Sequence, residues 1–190
     1  TIHMRLGRKV HHSARLMLRP LDWGDVADMH AVMRRPEAMR YWSTLPHADL
    51  AATQSWMARK LARADRAAEF AMVLEGRVIG TVGGDQLPEI GFILHPDHWG
   101  KGLVSEAMAV VVAHIFASQP IAALTADADP RNAASLRVLQ RLGFVVVGSA
   151  QNTFLLGEEW CHSVYLRLDR PDTAARPLMG PGLGLCAPTD

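Results

Sequence analysis

The stretch GFILHPDHWGKGLVSEA, Gly91 to Ala107, decides the fold. It runs from an apolar, strand-like segment through a short polar loop into helix-like sequence, with Gly100 and Gly102 flanking Lys101 at the turn. A helix entered through small residues leaves its first-turn N–H groups without intrahelical partners. Those groups, with the positive end of the helix dipole, form an anion site. Glycines there permit unusual backbone angles and let a bulky phosphate approach the main chain. Residues 99 to 104 therefore read as a diphosphate cradle, although a plain turn uses the same glycines. The known phosphate loops do not fit. Lys101 stands between the glycines rather than after the last one, and no Gly-x-Gly-x-x-Gly follows a first strand.

Outward from this loop the chain alternates strands and helices. Arg15 to Pro20 is a short strand, and a helix capped by Asp22 or Asp25 runs to Arg34, ahead of Pro36. A second helix spans Ala48 to Arg63, with Leu50, Trp56, Met57 and Leu61 as its buried stripe. Phe70–Leu74 and Val78–Val82 form a hairpin around Glu75-Gly76-Arg77, and Ile90–Leu94 is the next strand. The glycine loop opens a helix over Gly102–Ala117. Strand Ile121–Ala126 follows, then a helix from Asp129 or Asn132 to Gly143, and strands Phe144–Gly148 and Trp160–Leu168. This order predicts a mixed α/β fold whose sheet is parallel only across the central strand-helix-strand crossover. Residues 1–13 read as an N-terminal extension, with a vector-derived remnant at 1–3. Residues 14–170 read as one domain, and 171–190 as a Pro/Gly-rich tail.

Composition narrows the function classes. With 190 residues, 49% hydrophobic content and a formal net charge of +1, the chain reads as an ordinary globular protein with no nucleic-acid partner. The cluster Arg59, Lys60, Arg63 and Arg66 reads as a solvated helix face. Two cysteines are too few for a disulfide framework, so a cytoplasmic location is expected. No apolar run approaches the roughly 20 residues of a membrane span, so no membrane partner is expected either. The pair His95 and His98 brackets the loop without the further ligands of a metal site, and no metal is expected. Cys161-His162 is not a nucleophile–base pair, because adjacent strand residues point to opposite faces.

A second motif lies about thirty residues beyond the glycine loop: DPRNAASLRVLQRLGF, Asp129 to Phe144. With the Arg15–Pro20 start, Trp-Gly-Lys-Gly followed by Glu106-Ala107, the Asn-x-x-Ser spacing and Leu-Gly-Phe, it resembles the GNAT superfamily of N-acetyltransferases. The order is that of its RimJ/RimL-like branch, the ribosomal-protein N-terminal acetyltransferases, and the resemblance covers roughly residues 14 to 168.

That resemblance implies an acyl-CoA N-acyltransferase fold: a mixed, mostly antiparallel sheet flanked by helices, with one splayed parallel pair. It implies acetyl-CoA as co-substrate and an amine acceptor, a protein N-terminus or a small molecule, attacked directly without an acyl-enzyme. The backbone amides of Trp99, Gly100, Lys101, Gly102, Leu103 and Val104 would hold the CoA pyrophosphate. The superfamily pattern is Arg/Gln-x-x-Gly-x-Gly/Ala. Trp99 stands at its Arg/Gln position and Val104 at its final small position. Backbone groups of Ile93 and Leu94 would meet the pantetheine arm, and Asn132 would bond it, cap its helix, or do both.

Glu89 is the candidate base, acting through water, since the attacking amine must first lose the proton that holds it as ammonium. The tyrosine that many members use to protonate the thiolate is replaced by Leu139. Ser135, one helical turn past Asn132, is the candidate hydrogen-bond donor to the leaving sulfur. Trp23, Tyr41 and Trp42 are candidates to line the acceptor pocket, or to pack in the core. The enzyme is expected to be a monomer or homodimer. The rival reading is a CoA-binding sensor or scaffold without turnover.

Overall fold

The structure, a computed structural model, describes residues 9–171. The expected remnant at 1–3, most of the N-terminal extension, and the tail beyond Pro171 lie outside the described residues.

Eight strands form one sheet in the order β1-β2-β3-β4-β5-β6-β8-β7. They are β1 (His11–His12), β2 (Met17–Arg19), β3 (Ala68–Leu74), β4 (Arg77–Gln86), β5 (Glu89–Leu94), β6 (Ala123–Ala128), β7 (Val145–Leu156) and β8 (Glu159–Asp169). Every neighbouring pair is antiparallel except β5 and β6. The fold class expected from the sequence is thus the one observed. Strand β1 falls within the stretch read as an extension and pairs with β2 through His11↔Leu18 and His12↔Met17.

Helices cover both faces. α1 (Val26–Met33), α2 (Pro36–Met39) and α3 (Leu50–Leu61) lie on one side, and α4 (Leu103–Ser118) and α5 (Ala133–Arg141) on the other. Alternation along the strands divides the core accordingly. Ile90, Leu94, Leu124, Ala126 and Ala128 pack with Leu103, Val104, Met108 and Val111 of α4. Ile93, Val73 and Val78 pack with Met29, Met33, Trp56 and Met57 on the α1/α3 side.

Pro36 does not merely end a helix. It occupies the first turn of α2, where its missing N–H carries no penalty. In α3 the buried stripe is Thr53, Trp56 and Met57, whereas Leu50, expected inside, is exposed. The Thr53 hydroxyl lies 2.8 Å from both His30 Nδ1 and His47 Nδ1, which ties α3 to α1 and to the loop before it. This satisfied polar cluster explains how a threonine tolerates full burial.

Gly80 lets β4 and β5 approach closely: a Cβ there would lie 2.0 Å from the Ile93 carbonyl oxygen, a backbone atom. Gly80→Ala is therefore expected to destabilise the fold by about 2 kcal/mol or more, measured by urea unfolding. A variant as stable as wild type would show that the two strands separate without penalty.

Candidate active site: a strand fork and a glycine loop

Strands β5 and β6 touch at one register position, Glu89↔Thr125, where the Thr125 N–H donates to the Pro88 carbonyl at 2.9 Å. Beyond that point β5 pairs only with β4, so the two parallel strands form a fork open toward their C-terminal ends.

Hydrogen-bond alternation fixes which backbone groups face the fork. The His95 N–H donates to the Ile79 carbonyl at 2.8 Å, so the pairs Thr81↔Ile93 and Gly83↔Gly91 also exchange bonds with β4. Ile93 thus points its N–H and C=O at β4, and its side chain is core. The expected role of the Ile93 backbone in meeting the pantetheine arm is corrected: Phe92 and Leu94 turn toward the fork instead. Strand parity, invisible in the sequence, makes the difference.

At the open end, Trp99 closes over β5. Its indole Nε1–H donates to the Leu94 carbonyl at 2.9 Å, and its own backbone N–H donates to the Pro96 carbonyl at 3.0 Å. The Trp99 amide is therefore engaged within the loop, correcting its expected place among the free donors. Its side chain instead fastens the loop to the strand.

Gly100 and Gly102 have φ of 72° and 73°, in the left-handed region that only glycine adopts without strain. Gly102 is the N-cap of α4 and, lacking a side chain, caps none of its amides. Among the described residues the N–H groups of Gly100, Lys101, Gly102, Leu103, Val104 and Ser105 have no acceptor, and the first intrahelical bond is from Glu106 N–H to Gly102 C=O. The side chains of Leu103 and Val104 are buried in the core, so the valine does not crowd the mouth of the helix. Lys101 curls back, its Nζ donating to the Asp97 carbonyl at 2.9 Å.

On the other arm of the fork, Asn132 caps α5: its side-chain oxygen accepts from the Ser135 N–H at 3.1 Å. Its NH2 makes no bond among the described residues. Ser135 is half-buried in the first turn of α5.

Glu89 stands exposed at the closed end of the fork. Asp127, not singled out in the sequence, follows Thr125 by two residues and so shares the sheet face of Glu89, about 7 Å further toward the open end. The Ser163 hydroxyl donates to Asp127 at 3.0 Å. Desolvation by the surrounding protein lifts the Asp127 carboxyl above the usual aspartate range, and the Ser163 bond opposes this only in part. The side chain itself remains open to solvent. A signal for it exists in Thr125-Ala-Asp-Ala-Asp129, where small and acidic residues alternate on a central strand.

Of the three aromatic candidates, Tyr41 lies nearest to residues around the fork. Its ring sits 5.4 Å from the Arg40 guanidinium and 5.7 Å from that of Arg131. Arg131 in turn binds Asp129 at 2.7 Å and Glu159 at the start of β8. Trp42 packs against the α1/α3 core, and Trp23 is exposed on the single turn preceding α1.

Comparison with known proteins fits this architecture. Residues 15–145 match the family model of the acetyltransferase (GNAT) domain. The chain belongs to the GNAT acetyltransferase family. It is 28% identical over 143 residues to the uncharacterized N-acetyltransferase p20 of Bacillus licheniformis, covering 70% of this chain and 80% of that protein. It is 24% identical over 162 residues to the spermidine N(1)-acetyltransferase of Escherichia coli strain K12, covering 80% and 84%. Among solved structures it resembles the ribosomal-protein-S5-alanine acetyltransferase from Vibrio fischeri, with a TM-score of 0.73, 23% identity, and coverage of 86% of this chain and 98% of that one. It also resembles RimL, the ribosomal L7/L12 alpha-N-protein acetyltransferase in complex with coenzyme A, with a TM-score of 0.74, 18% identity, and coverage of 85% and 98%. The GNAT resemblance and its RimJ/RimL-like branch, read from the motifs, thus recur in the relatives, and the chain is an acetyltransferase. No helix among the described residues is long and apolar enough to cross a membrane.

The cap and ligand roles of Asn132 separate experimentally. Asn132→Ala should lower stability by about 1 kcal/mol, and Asn132→Ser should restore it by keeping the cap. If Asn132 also bonds the donor arm, the serine variant will still bind CoA more weakly in calorimetric titration. Full affinity in Asn132→Ser would leave the residue as a cap alone.

Proposed function

We propose that this enzyme transfers the acetyl group of acetyl-CoA to a primary amine that attacks the thioester directly. The observation that carries the reading is the combination of a fork exposing the Phe92 and Leu94 backbone with uncapped amides at the head of α4. The pyrophosphate would rest on the amides of Gly100 through Val104, and the pantetheine arm would run into the fork toward the β5–β6 contact. Asn132, through its unbonded NH2, would reach the same arm.

In the reaction the amine nitrogen bonds to the thioester carbonyl carbon, the C–S bond breaks, and the sulfur leaves with its electron pair. The proton that held the amine as ammonium goes to a carboxylate, directly or through water. Another proton, or a hydrogen bond, meets the thiolate. Ser135 is the nearest expected donor to that sulfur. Its hydroxyl is a weak acid, so its contribution is a hydrogen bond to developing charge. Positioning of two bound substrates supplies most of the rate enhancement.

Two carboxylates are placed to take the ammonium proton. Glu89 stands at the closed end of the fork, and Asp127 further along the same face. The raised proton affinity of Asp127 favours it, because a base works best when its pKa lies closer to the working pH. The acceptor is either a protein N-terminus or a small amine. The Tyr41–Arg131–Glu159 cluster near the mouth supports a site with a shaped rim, without deciding between them.

The test is thiol release from acetyl-CoA across a panel of amines and N-terminal peptides. Amine-dependent release is expected. CoA binding without release for every amine would favour the sensor reading instead. With an accepted amine, the rate should rise with pH through the pKa of the base. Asp127→Asn should lower turnover on the order of 100-fold at neutral pH and less at high pH. Glu89→Gln should have the smaller effect, and the reverse ranking would return the role to Glu89. Ser135→Ala should lower turnover about tenfold, and unchanged turnover would remove it from the mechanism.

Stability supplies an independent check on Asp127. A carboxyl whose folded pKa is raised binds its proton more tightly when folded, so ionising it as pH rises through that pKa weakens the fold. Asp127→Asn should therefore be at least as stable as wild type at pH 7 while being slower, as measured by thermal unfolding.

A further inference from the structure

The glycine loop carries no arginine or glutamine at the position where the superfamily pattern has one; Trp99 stands there and is turned to Leu94. A guanidinium nevertheless lies at the loop, delivered from the other end of the chain. Arg15 Nη2 is the nearest atom to where a Cβ on Gly102 would sit, at 3.8 Å. It is held there by Glu106 in the first turn of α4. The Arg15 Nε donates to Glu106 Oε2 at 2.8 Å, Nη2 pairs with the same oxygen at 2.7 Å, and the Arg15 backbone N–H donates to Oε1 at 2.8 Å. The Ser13 hydroxyl donates to Oε1 at 2.6 Å. The Ser13 bond first, with the Arg15 main-chain and side-chain bonds, keeps the Glu106 carboxyl below the usual glutamate range. Its negative charge is thus permanent at neutral pH.

This arrangement is odd for structure alone. A fixed carboxylate in the first turn suits the helix dipole, but beside a bound diphosphate it would repel. Four donors from the segment before β2 converge on it, and the Arg15 side chain still stays half exposed. Its Nη1 has no partner among the described residues. One edge of the guanidinium is used on Glu106, and the remaining donors lie over the N-cap glycine, next to the uncapped amides.

We propose that Arg15 is a donor-binding residue: it contacts the pyrophosphate of acetyl-CoA, replacing the side chain absent at Trp99, while Glu106 and Ser13 position it. The planar, permanently charged guanidinium is suited to this, since it can bond a carboxylate and a phosphate at once through different N–H groups. The inference rests on the acetyl-CoA reading above and adds which phosphates are read and by what.

Calorimetric titration of the full chain with CoA, dephospho-CoA and pantetheine tests it. Wild type should bind both nucleotides far more tightly than pantetheine. Wild type binding all three alike would defeat the acetyl-CoA reading itself, and Arg15 with it. Given that preference, Arg15→Gln should weaken CoA and dephospho-CoA by the same factor, on the order of 10- to 100-fold, and leave pantetheine unchanged. Equal loss for pantetheine would make Arg15 merely structural, and unchanged CoA affinity would also overturn the assignment. Loss with CoA but not dephospho-CoA would assign Arg15 to the 3′-phosphate and sink the pyrophosphate contact. Should Arg15→Gln not fold, Arg15→Lys keeps the charge but loses the fork of donors. It should show the same phosphate-dependent pattern at smaller amplitude, and its absence counts against the proposal.

Discussion

Everything functional in this molecule depends on one pair of strands that meet and then part. A central strand normally spends the N–H and C=O groups of both edges on its neighbours, because an unpaired buried backbone group is destabilising by amounts comparable to a lost hydrogen bond. β5 satisfies its β4 edge through to His95 but its β6 edge only near Glu89 and Thr125. The outward groups at Phe92 and Leu94 therefore keep bonding capacity that another extended amide chain can use. The fold tolerates this because β5 is anchored elsewhere: Gly80 admits it close to β4, Ile90 and Leu94 pack on one face and Ile93 on the other, and the Trp99 indole binds its last carbonyl.

The loop after β5 repeats the same logic in a tighter space. Two left-handed glycines turn the chain so sharply that the helix begins with no side chain available to cap it. Donors left free at a helix start are weakly stabilised by water and strongly by an anion. The adjacent Glu106 is then explained by geometry rather than by repulsion. It faces Ser13 and Arg15, so its charge is compensated within the protein and the net field at Gly102 is not that of a bare carboxylate.

Much of this was legible in the sequence, because the informative residues were those whose chemistry constrains the backbone. Glycines beside Lys101, Asn132 before a helical run, and Gly143 after it placed the loop, the cap and the crossover between α4 and β6. What stayed hidden depended on parity and long-range contact. Whether Ile93 or Phe92 faces the fork follows from the His95–Ile79 bond, which no local pattern encodes. Strand β7 runs to Leu156 rather than ending at Gly148 because β8 pairs with it through two irregularities, while its sequence lacks apolar alternation. Arg15 looked like the start of a strand, and its partner lies 91 residues away. Trp42 and Leu50 were misjudged in opposite senses, the one packing on the core and the other facing solvent.

The charges of the site sort themselves along the fork, and that ordering bears on how an amine would be received. At the open end are the free amides and Arg15, suited to phosphates. At the closed end are Glu89 and Asp127, neither of which has an ion-pair partner among the described residues, whereas Asp129 and Glu159 are both neutralised by Arg131. An ammonium approaching the α1/α3 side therefore meets two uncompensated carboxylates, which attract it as a cation, while the desolvated one is the better acceptor of its proton. Attraction and deprotonation make opposite demands on a single acid, since the group that best holds a cation is the one least willing to protonate. Two carboxylates in unlike surroundings resolve the conflict: the exposed Glu89 supplies the steady negative field, and Asp127 carries the proton. The phosphates, kept at the far end, do not compensate either.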